Sequence, residues 1–167
     1  MIVLCIDPDP NGGTWVELRD NGEVLYHERN ATVESLARLM LAREFNVIED
    51  VQAMGMPVGR SIFETVKNIG YLKAYAAVYK TNFDDTLTRP AIKTALCGSA
   101  RAKDGNVRQA IIDLYPATGG GKTPQIGTKA QPGPLYGIAA DEWAALALGL
   151  VFLSKQGLGP LAKRDRP

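Results

Sequence analysis

The sequence predicts an α/β domain: a central mixed five-stranded sheet whose first three strands form an antiparallel meander, flanked by helices. Three observations predict it. The elements read from the residues run strand, strand, strand, helix, strand, helix, strand, helix. Two apolar strand runs, in "MIVLCIDPDP" and "NVIEDV", end in carboxylates rather than in ordinary turn residues. The 167 residues are enough to bury one real core and too few for two of ordinary size, so residues 1–167 read as a single domain.

Residues 2 to 7 are a nearly continuous apolar run, the pattern of a buried strand. Thr14 to Arg19 alternates, with Trp15 and Glu17 on one side and Val16 and Leu18 on the other. Asp20-Asn21-Gly22 supplies turn chemistry into Glu23 to Glu28, which makes residues 14 to 28 a hairpin. Thr32 caps a helix with Leu36, Leu39 and Met40 at helical spacing, predicted to end near Phe45. Val47 to Val51 is the fourth strand. Ser61 and Glu64 form a capping-box pattern ahead of Ile62, Val66, Ile69, Leu72 and Ala76, which predicts a helix over 60–79 with those apolar positions inward. Thr86 to Thr88 is a short fifth strand, Pro90 opens a helix through Leu96, and Asp104 caps another carrying Val107, Ile111 and Leu114. The glycine- and proline-rich stretch 116–137 is a long loop, of a length that in a compact domain signals function or disorder. The final helix begins near Ile138 and continues through Leu153, and the tail 157–167 carries Lys163, Arg164 and Arg166.

With 46% hydrophobic and 22% charged residues the composition is that of an ordinary globular domain, and no apolar stretch is long enough to span a bilayer, so no membrane role is expected. The first residues lack a basic start followed by a long apolar run and a small-residue cleavage site, which predicts a cytoplasmic protein. Cys5 and Cys97 are expected as reduced, buried thiols. The net charge of +1 gives no bulk argument for a polyanionic partner, so nucleic-acid binding has to come from local clustering. Lys93, Arg101, Lys103, Arg108, Lys122 and Lys129 supply such a cluster in a stretch with few acids. Contacts from these residues to phosphates give salt-sensitive affinity without reading sequence directly, and a merely solvated helix face and loop is the plain alternative. Gly121-Lys122-Thr123 in "PATGGGKTP" resembles the end of a phosphate-binding P-loop, but Pro116 stands where the motif needs its first glycine and Pro124 follows at once, so this is a basic loop and not a nucleotide cradle.

Asp7 ends the first strand, Glu49 lies at the end of the fourth, and Asp141 falls at the start of the last helix. If strands one and four are neighbours and that helix packs across them, the three carboxylates converge at one sheet edge. Like charges held together are costly unless a cation neutralises them, and oxygen-only ligands favour a hard ion such as magnesium or manganese. Taken singly, each acid has a plainer reading: Asp7 precedes Pro8 and can begin a turn, Glu49 can be a solvated strand end, and Asp141 can answer a helix dipole. The order of elements favours convergence and fits a ribonuclease H-like fold. The single histidine, His27, reads as a surface residue of the hairpin.

Four stretches carry a more specific likeness: "IDPDPNGGTWVEL", "VIEDVQAMGMPVGRSIFETVKNIG", "CGSARAKDGNVRQAIIDLYP" and "IGTKAQPGPLYGIAADEWAALAL". On these, in this order and over most of its length, the chain resembles the RuvC-like Holliday junction resolvases, in particular the group encoded by tailed bacteriophages. The resemblance implies metal ligands at Asp7, Glu49 and Asp141, with Asp7 bridging two magnesium ions for which manganese can substitute, and Lys103 near the scissile phosphate. It implies a homodimer that cuts four-way junctions and related branched DNA by paired symmetric nicks, leaving 5′-phosphate and 3′-hydroxyl ends. A symmetric dimer suits a junction of approximate twofold symmetry. Helix 60–79 is the candidate interface, through Phe63, Tyr71 and Tyr75.

Two positions depart from the family pattern. A fourth ligand is usual three residues before the last aspartate, where this chain has Ile138; Glu142 is the nearest substitute. An aromatic wedge usually follows the strand-four glutamate, where this chain has Gln52 and Ala53. Two other functional classes follow: a catalytically weak or inactive junction-binding dimer, and an actin-like phosphotransferase. The second needs a further domain and glycine-rich phosphate loops, and this chain has neither.

Overall fold

Alternation along the first strand dictates the layering. In the computed structural model, which describes residues 1–52 and 57–164, β1 (Ile2–Asp9) pairs antiparallel with β2 (Gly12–Arg19), and β2 pairs antiparallel with β3 (Val24–Thr32). On its other edge β1 runs parallel to β4 (Phe45–Asp50), which runs parallel to β5 (Phe83–Thr88). The strand order is β3-β2-β1-β4-β5, the mixed sheet with a leading meander that the sequence predicts. The helices among the described residues are α1 (Val33–Met40), α2 (Arg60–Tyr79), α3 (Arg89–Cys97), α4 (Asp104–Ile112), α5 (Glu142–Lys155) and α6 (Gly159–Arg164). None among the described residues is long and apolar enough to cross a membrane.

Successive strand residues point to opposite faces, and the core divides accordingly. Leu4, Ile6, Trp15 and Ile48 pack against Leu36 and Met40 of α1 and Ile69, Leu72 and Ala76 of α2. Val3, Cys5, Val16, Leu18 and Val47 face the other way, onto α5 and the inner residues Ile92, Val107 and Ile111 of α3 and α4. The result is a three-layer sandwich with α5 lying directly on the middle strands. A Cβ added at Gly149 would strike Cys5 Sγ and come 2.6 Å from Leu18 Cδ1, so the close approach of this helix to β1 and β2 requires glycine there. On the α1 side, the buried Glu17 of β2 is matched by Arg43, whose Nε is 2.6 Å from Oε1.

The structure corrects several element boundaries. Thr32 does cap α1, its Oγ1 accepting from the Ser35 N–H, but the helix stops at Met40 and Phe45 opens β4, where pairing with Val3 takes over. Helix α2 has Gly59 at its N-cap with no side-chain bond, and Ser61 lies inside the helix with its carbonyl accepting from Thr65 Oγ1. Its buried stripe is Thr65, Ile69, Leu72 and Ala76; Ile62 and Val66, expected inward, are exposed. Asp104 is the first residue of α4 rather than its cap, and Leu114 lies beyond the end of that helix. Helix α5 starts at Glu142, four residues later than Ile138. Cys5 is buried and Cys97 only half-buried; both are free thiols. The loop 116–137 is tied by its own backbone, with Gly119 N–H donating to Pro124 O at 2.8 Å, Gly120 N–H to Gln131 O at 2.9 Å and Gly133 N–H to Ile126 O at 3.0 Å. In the tail, Arg164 donates to the carbonyls of Ala95 and Leu96, while Arg166 lies outside the described residues.

Candidate active site

Register and parity bring the first two acids together. Ile6 of β1 is paired with Ile48 of β4, and both point toward α1 and α2. The next residue on each strand, Asp7 and Glu49, therefore turns to the opposite face, the one covered by α5. The third acid, Asp141, is the N-cap of α5, and its side chain makes no capping bond. The chain reaches it through Gly137 at φ 89° and Ala140 at φ 45°, two left-handed residues that set the entry into the helix.

The electrostatics report the same neighbourhood. Burial first, then the charges of Glu49, Asp141 and Asp9, raise the Asp7 carboxyl to about 7 against the opposing pull of Arg89. Glu49 is also raised by burial, against the opposing pull of Arg89 and Lys93. Three carboxylates from β1, β4 and the start of α5 thus share one environment at the sheet edge. Among the described residues no three His, Cys, Asp or Glu side chains close into a formed metal cage, so the acids stand within electrostatic reach but outside coordination geometry. The donor set nonetheless suits a hard divalent ion: carboxylate oxygens, with Asp7 holding its proton to near-neutral pH.

What holds Glu49 is a cation that the sequence reading did not single out. Arg89 is the first residue of α3, immediately after the Thr88 cap at the end of β5. Its Nη1 lies 3.4 Å from Glu49 Oε2 and its Nη2 3.2 Å from Asp104 Oδ1. Lys93, one turn along α3, reaches the same Asp104 oxygen at 3.1 Å. Arg89 lines a recess with Glu49 and Gln52 on one side and a second recess with Asp141 and Trp143 on the other. The available signal was position: a basic residue at the end of a strand adjoining the one that carries Glu49.

No family model matches the chain, and no curated protein does. Solved structures do match. The structure of Thermus thermophilus RuvC aligns with a TM-score of 0.60 at 16% identity, over 94% of this chain and 97% of that one. RuvC of the same organism in complex with a Holliday junction substrate aligns with a TM-score of 0.59 at 16% identity, over 94% and 96%. The fold is that of RuvC. At this identity the likeness is one of architecture, the ribonuclease H-like α/β arrangement expected from the element order.

Within this RuvC fold the remaining candidates are distributed unevenly. Glu142, taken as the substitute fourth ligand, is turned elsewhere: its Oε1 lies 2.8 Å from His27 Nδ1 and its Oε2 accepts from the Ala139 N–H at 2.7 Å. Adjacent residues at a helix start point in different directions, so Asp141 and Glu142 do not serve one site. His27 is correspondingly not a surface residue but a half-buried one, joining β3 to the start of α5. Ile138 is buried in the apolar core of the α5 layer and offers no ligand. Lys103, the N-cap of α4, is exposed beside Asp104. Arg108 lies 5.0 Å over the Trp143 ring, which places it near the start of α5. Lys93 is engaged with Asp104, and Arg101, Lys122 and Lys129 are exposed side chains on connecting segments. Gln52 is exposed and bonds to Asp50, while Ala53 lies outside the described residues. A recess of about 750 Å³ between the β2–β3 turn, the loop 116–137 and α6 includes none of the three acids. The recesses that hold Glu49 and Asp141 are smaller, about 260 and 90 Å³.

Proposed function

We propose that the chain is a divalent-metal-dependent endonuclease of the bacteriophage RuvC-like group, acting on four-way junctions and related branched DNA by paired symmetric nicks. The observation that carries the reading is that burial, with the charges of Glu49 and Asp141, raises the Asp7 carboxyl at the end of β1, in a fold shared with a protein solved on a Holliday junction. Asp7, Glu49 and Asp141 are the residues that would hold the metal, magnesium or manganese. When bound, two such ions supply an activated water for in-line attack on the phosphodiester and stabilise the leaving oxygen. Asp7, which keeps its proton to near pH 7, gives it up as cations arrive. Lys103 offers an unburied positive charge for the phosphate, and Arg101, Arg108, Lys122 and Lys129 hold flanking phosphates.

Pairing of the nicks calls for two sites, and α2 supplies a surface for a second copy. Outside its buried stripe it exposes Ile62, Phe63, Val66, Tyr71, Val78 and Tyr79, with Tyr71, Tyr75 and Tyr79 forming an aromatic ladder at centroid spacings of 6.2 and 4.5 Å. Large apolar side chains turned to solvent in this number on one helix suit a surface that a second copy covers. The test is incubation with a synthetic four-way junction in magnesium, alongside Asp7→Asn: ligatable paired products from the wild type and none from the variant are expected, and undiminished cleavage by the variant excludes this site.

One observation favours a second reading. With Ile138 in the core and Glu142 committed to His27, the other acid lining the recess beside Asp141 is Asp104, which is already paired with Arg89 and Lys93. A junction-binding dimer with weak or no catalysis would bind the same substrate in EDTA and release no products in either magnesium or manganese.

A further inference from the structure

Beside the acid edge, α4 and α5 bring together a cation and an aromatic ring. Arg108 Cζ stands 5.0 Å from the centre of the Trp143 ring, and Trp143 borders the recess that Asp141 and Val107 also line. Resting on the nuclease reading for the substrate, we infer that Trp143 is a positioning residue: its ring holds the Arg108 guanidinium in place beside the Asp141 recess, where it binds a backbone phosphate of the DNA.

The sequence offers Arg108 a different partner, and the structure withdraws it. Asp104 lies four residues earlier on α4, the spacing and order at which an acid ordinarily pairs with a base on one helix face. Its Oδ1 oxygen is taken instead by Arg89 Nη2 at 3.2 Å and Lys93 Nζ at 3.1 Å, both from α3. Asp113, the next acid along the chain, accepts from Gln109 Nε2 at 2.8 Å. Among the described residues Arg108 pairs with no carboxylate, whereas Arg89 and Lys93 both do. Its partner is an uncharged ring, which attracts the guanidinium through its negative face without cancelling the charge. The pair therefore presents a whole positive charge to solvent. Both halves are anchored: Val107, next to Arg108, is buried in the core, and Trp143 packs against that core from the first turn of α5. Arg108 itself is exposed. A side chain already confined on a fixed platform loses less freedom when it meets a ligand, and the planar fork of a guanidinium matches phosphate oxygens.

Anisotropy of a labelled four-way junction, titrated with protein in EDTA so that no cleavage is needed, tests the assignment in a double-mutant cycle. Arg108→Gln is expected to weaken binding about tenfold and to lower the slope of log affinity against log salt by about one, the mark of one lost phosphate contact. Trp143→Leu is expected to weaken binding about three- to fivefold in the wild-type background and to add no further loss in Arg108→Gln, while Trp143→Phe, which keeps an aromatic face, recovers most of the affinity. An unchanged salt slope in Arg108→Gln overturns the phosphate contact, and equal losses from Trp143→Leu in the two backgrounds overturn the positioning role. A second measurement uses the wild type alone and so decides the matter even if Trp143→Leu fails to fold: the side-chain protons of Arg108 should resonate upfield in the ring current of Trp143, and ordinary shifts overturn the pair. The outcomes also separate this inference from the nuclease reading. Tight junction binding with additive losses refutes the role of Trp143 and leaves that reading standing, whereas a wild type that binds no junction removes both.

Discussion

Neutralising Asp7 should make the metal-free protein more stable, and by an amount that depends on pH in a defined way. The folded protein holds the Asp7 proton to about pH 7, while the unfolded chain releases it near 3.8. Between those values folding takes up a proton, so the stability is fully present below the lower value, declines as pH rises through the window, and is lost by the upper one. The interval is about three pH units, and at about 1.36 kcal/mol each the ionised aspartate costs at most about 4 kcal/mol at pH 8. Asp7→Asn keeps the shape and removes the charge, and it also relieves Glu49 of a repelling neighbour. Thermal melts in EDTA from pH 4 to 8 should therefore show the two proteins alike at pH 4 and the variant more stable at pH 8; at this chain length each kcal/mol is worth about 2 to 4 °C in Tm. Added magnesium should narrow the gap, since binding to the native state alone contributes about 2.7 kcal/mol at one hundred times Kd and the variant lacks the shared ligand, and it should close the gap only near one thousand times Kd, where the contribution reaches about 4.1 kcal/mol. Parallel stability curves for the two proteins across this range in EDTA would refute the argument, because the acid edge would then carry no strain for a cation to relieve.

Three further outcomes follow from packing and charge. Arg43→Ala should destabilise the fold by about 3 to 5 kcal/mol in thermal or denaturant unfolding, because it leaves the buried Glu17 without its partner at 2.6 Å; a loss below about 1 kcal/mol would refute the structural weight given to this pair. Gly149→Ala should cost about 1 to 3 kcal/mol by forcing α5 off Cys5 and Leu18, while Gly70→Ala, on an open face of α2 with nothing within 4 Å, should add about 0.5 to 1 kcal/mol; denaturant midpoints distinguish the two directions. Phe63→Glu and Tyr71→Glu, both exposed on α2, should each weaken self-association about 30-fold if the site is worth about 2 kcal/mol, which light scattering against concentration reads directly; an unchanged mass would move the dimer contact elsewhere.

Much of this molecule was legible because alternation and turn chemistry are local. The parity of Val3, Leu4, Cys5 and Ile6 assigns each to a sheet face, and with it the direction of Asp7. Thr32 is read correctly as a cap because its bond to the Ser35 N–H is made within one turn. The failures are those where distant packing decides. Ser61 and Glu64 look like a capping box, yet α2 begins with no side-chain bond, and its rotation is set by how Thr65, Ile69, Leu72 and Ala76 meet α1 and the sheet. Ile138 appears to continue the apolar run of α5, but a left-handed Ala140 starts the helix anew at Glu142. Glu142 looked available as a ligand only because its partner, His27, is 115 residues away in the chain.

Arg89 was missed for a related reason, and it shows what a sequence-level account of an acid site lacks. Carboxylates announce themselves in a strand because a charge at the end of an apolar run is anomalous. A basic residue at the start of a helix that follows a strand is ordinary, and only the register of β4 against β5, with Asp50 opposite Thr88, places it beside the acids. Once there it changes the meaning of the cluster. Without Arg89 the edge would be a set of repelling acids wholly dependent on added metal; with it, Glu49 is partly neutralised in the resting protein, and the remaining strain falls on Asp7, which turns to protons when metal is scarce. Proton and metal then compete for one residue, so the apparent affinity for a divalent ion should rise between pH 5 and 7 in the wild type, by about tenfold per pH unit while Asp7 remains protonated, and level off above pH 7. Calorimetric titrations at three pH values would read that slope directly, and an affinity independent of pH over this interval would place the binding residues somewhere other than Asp7.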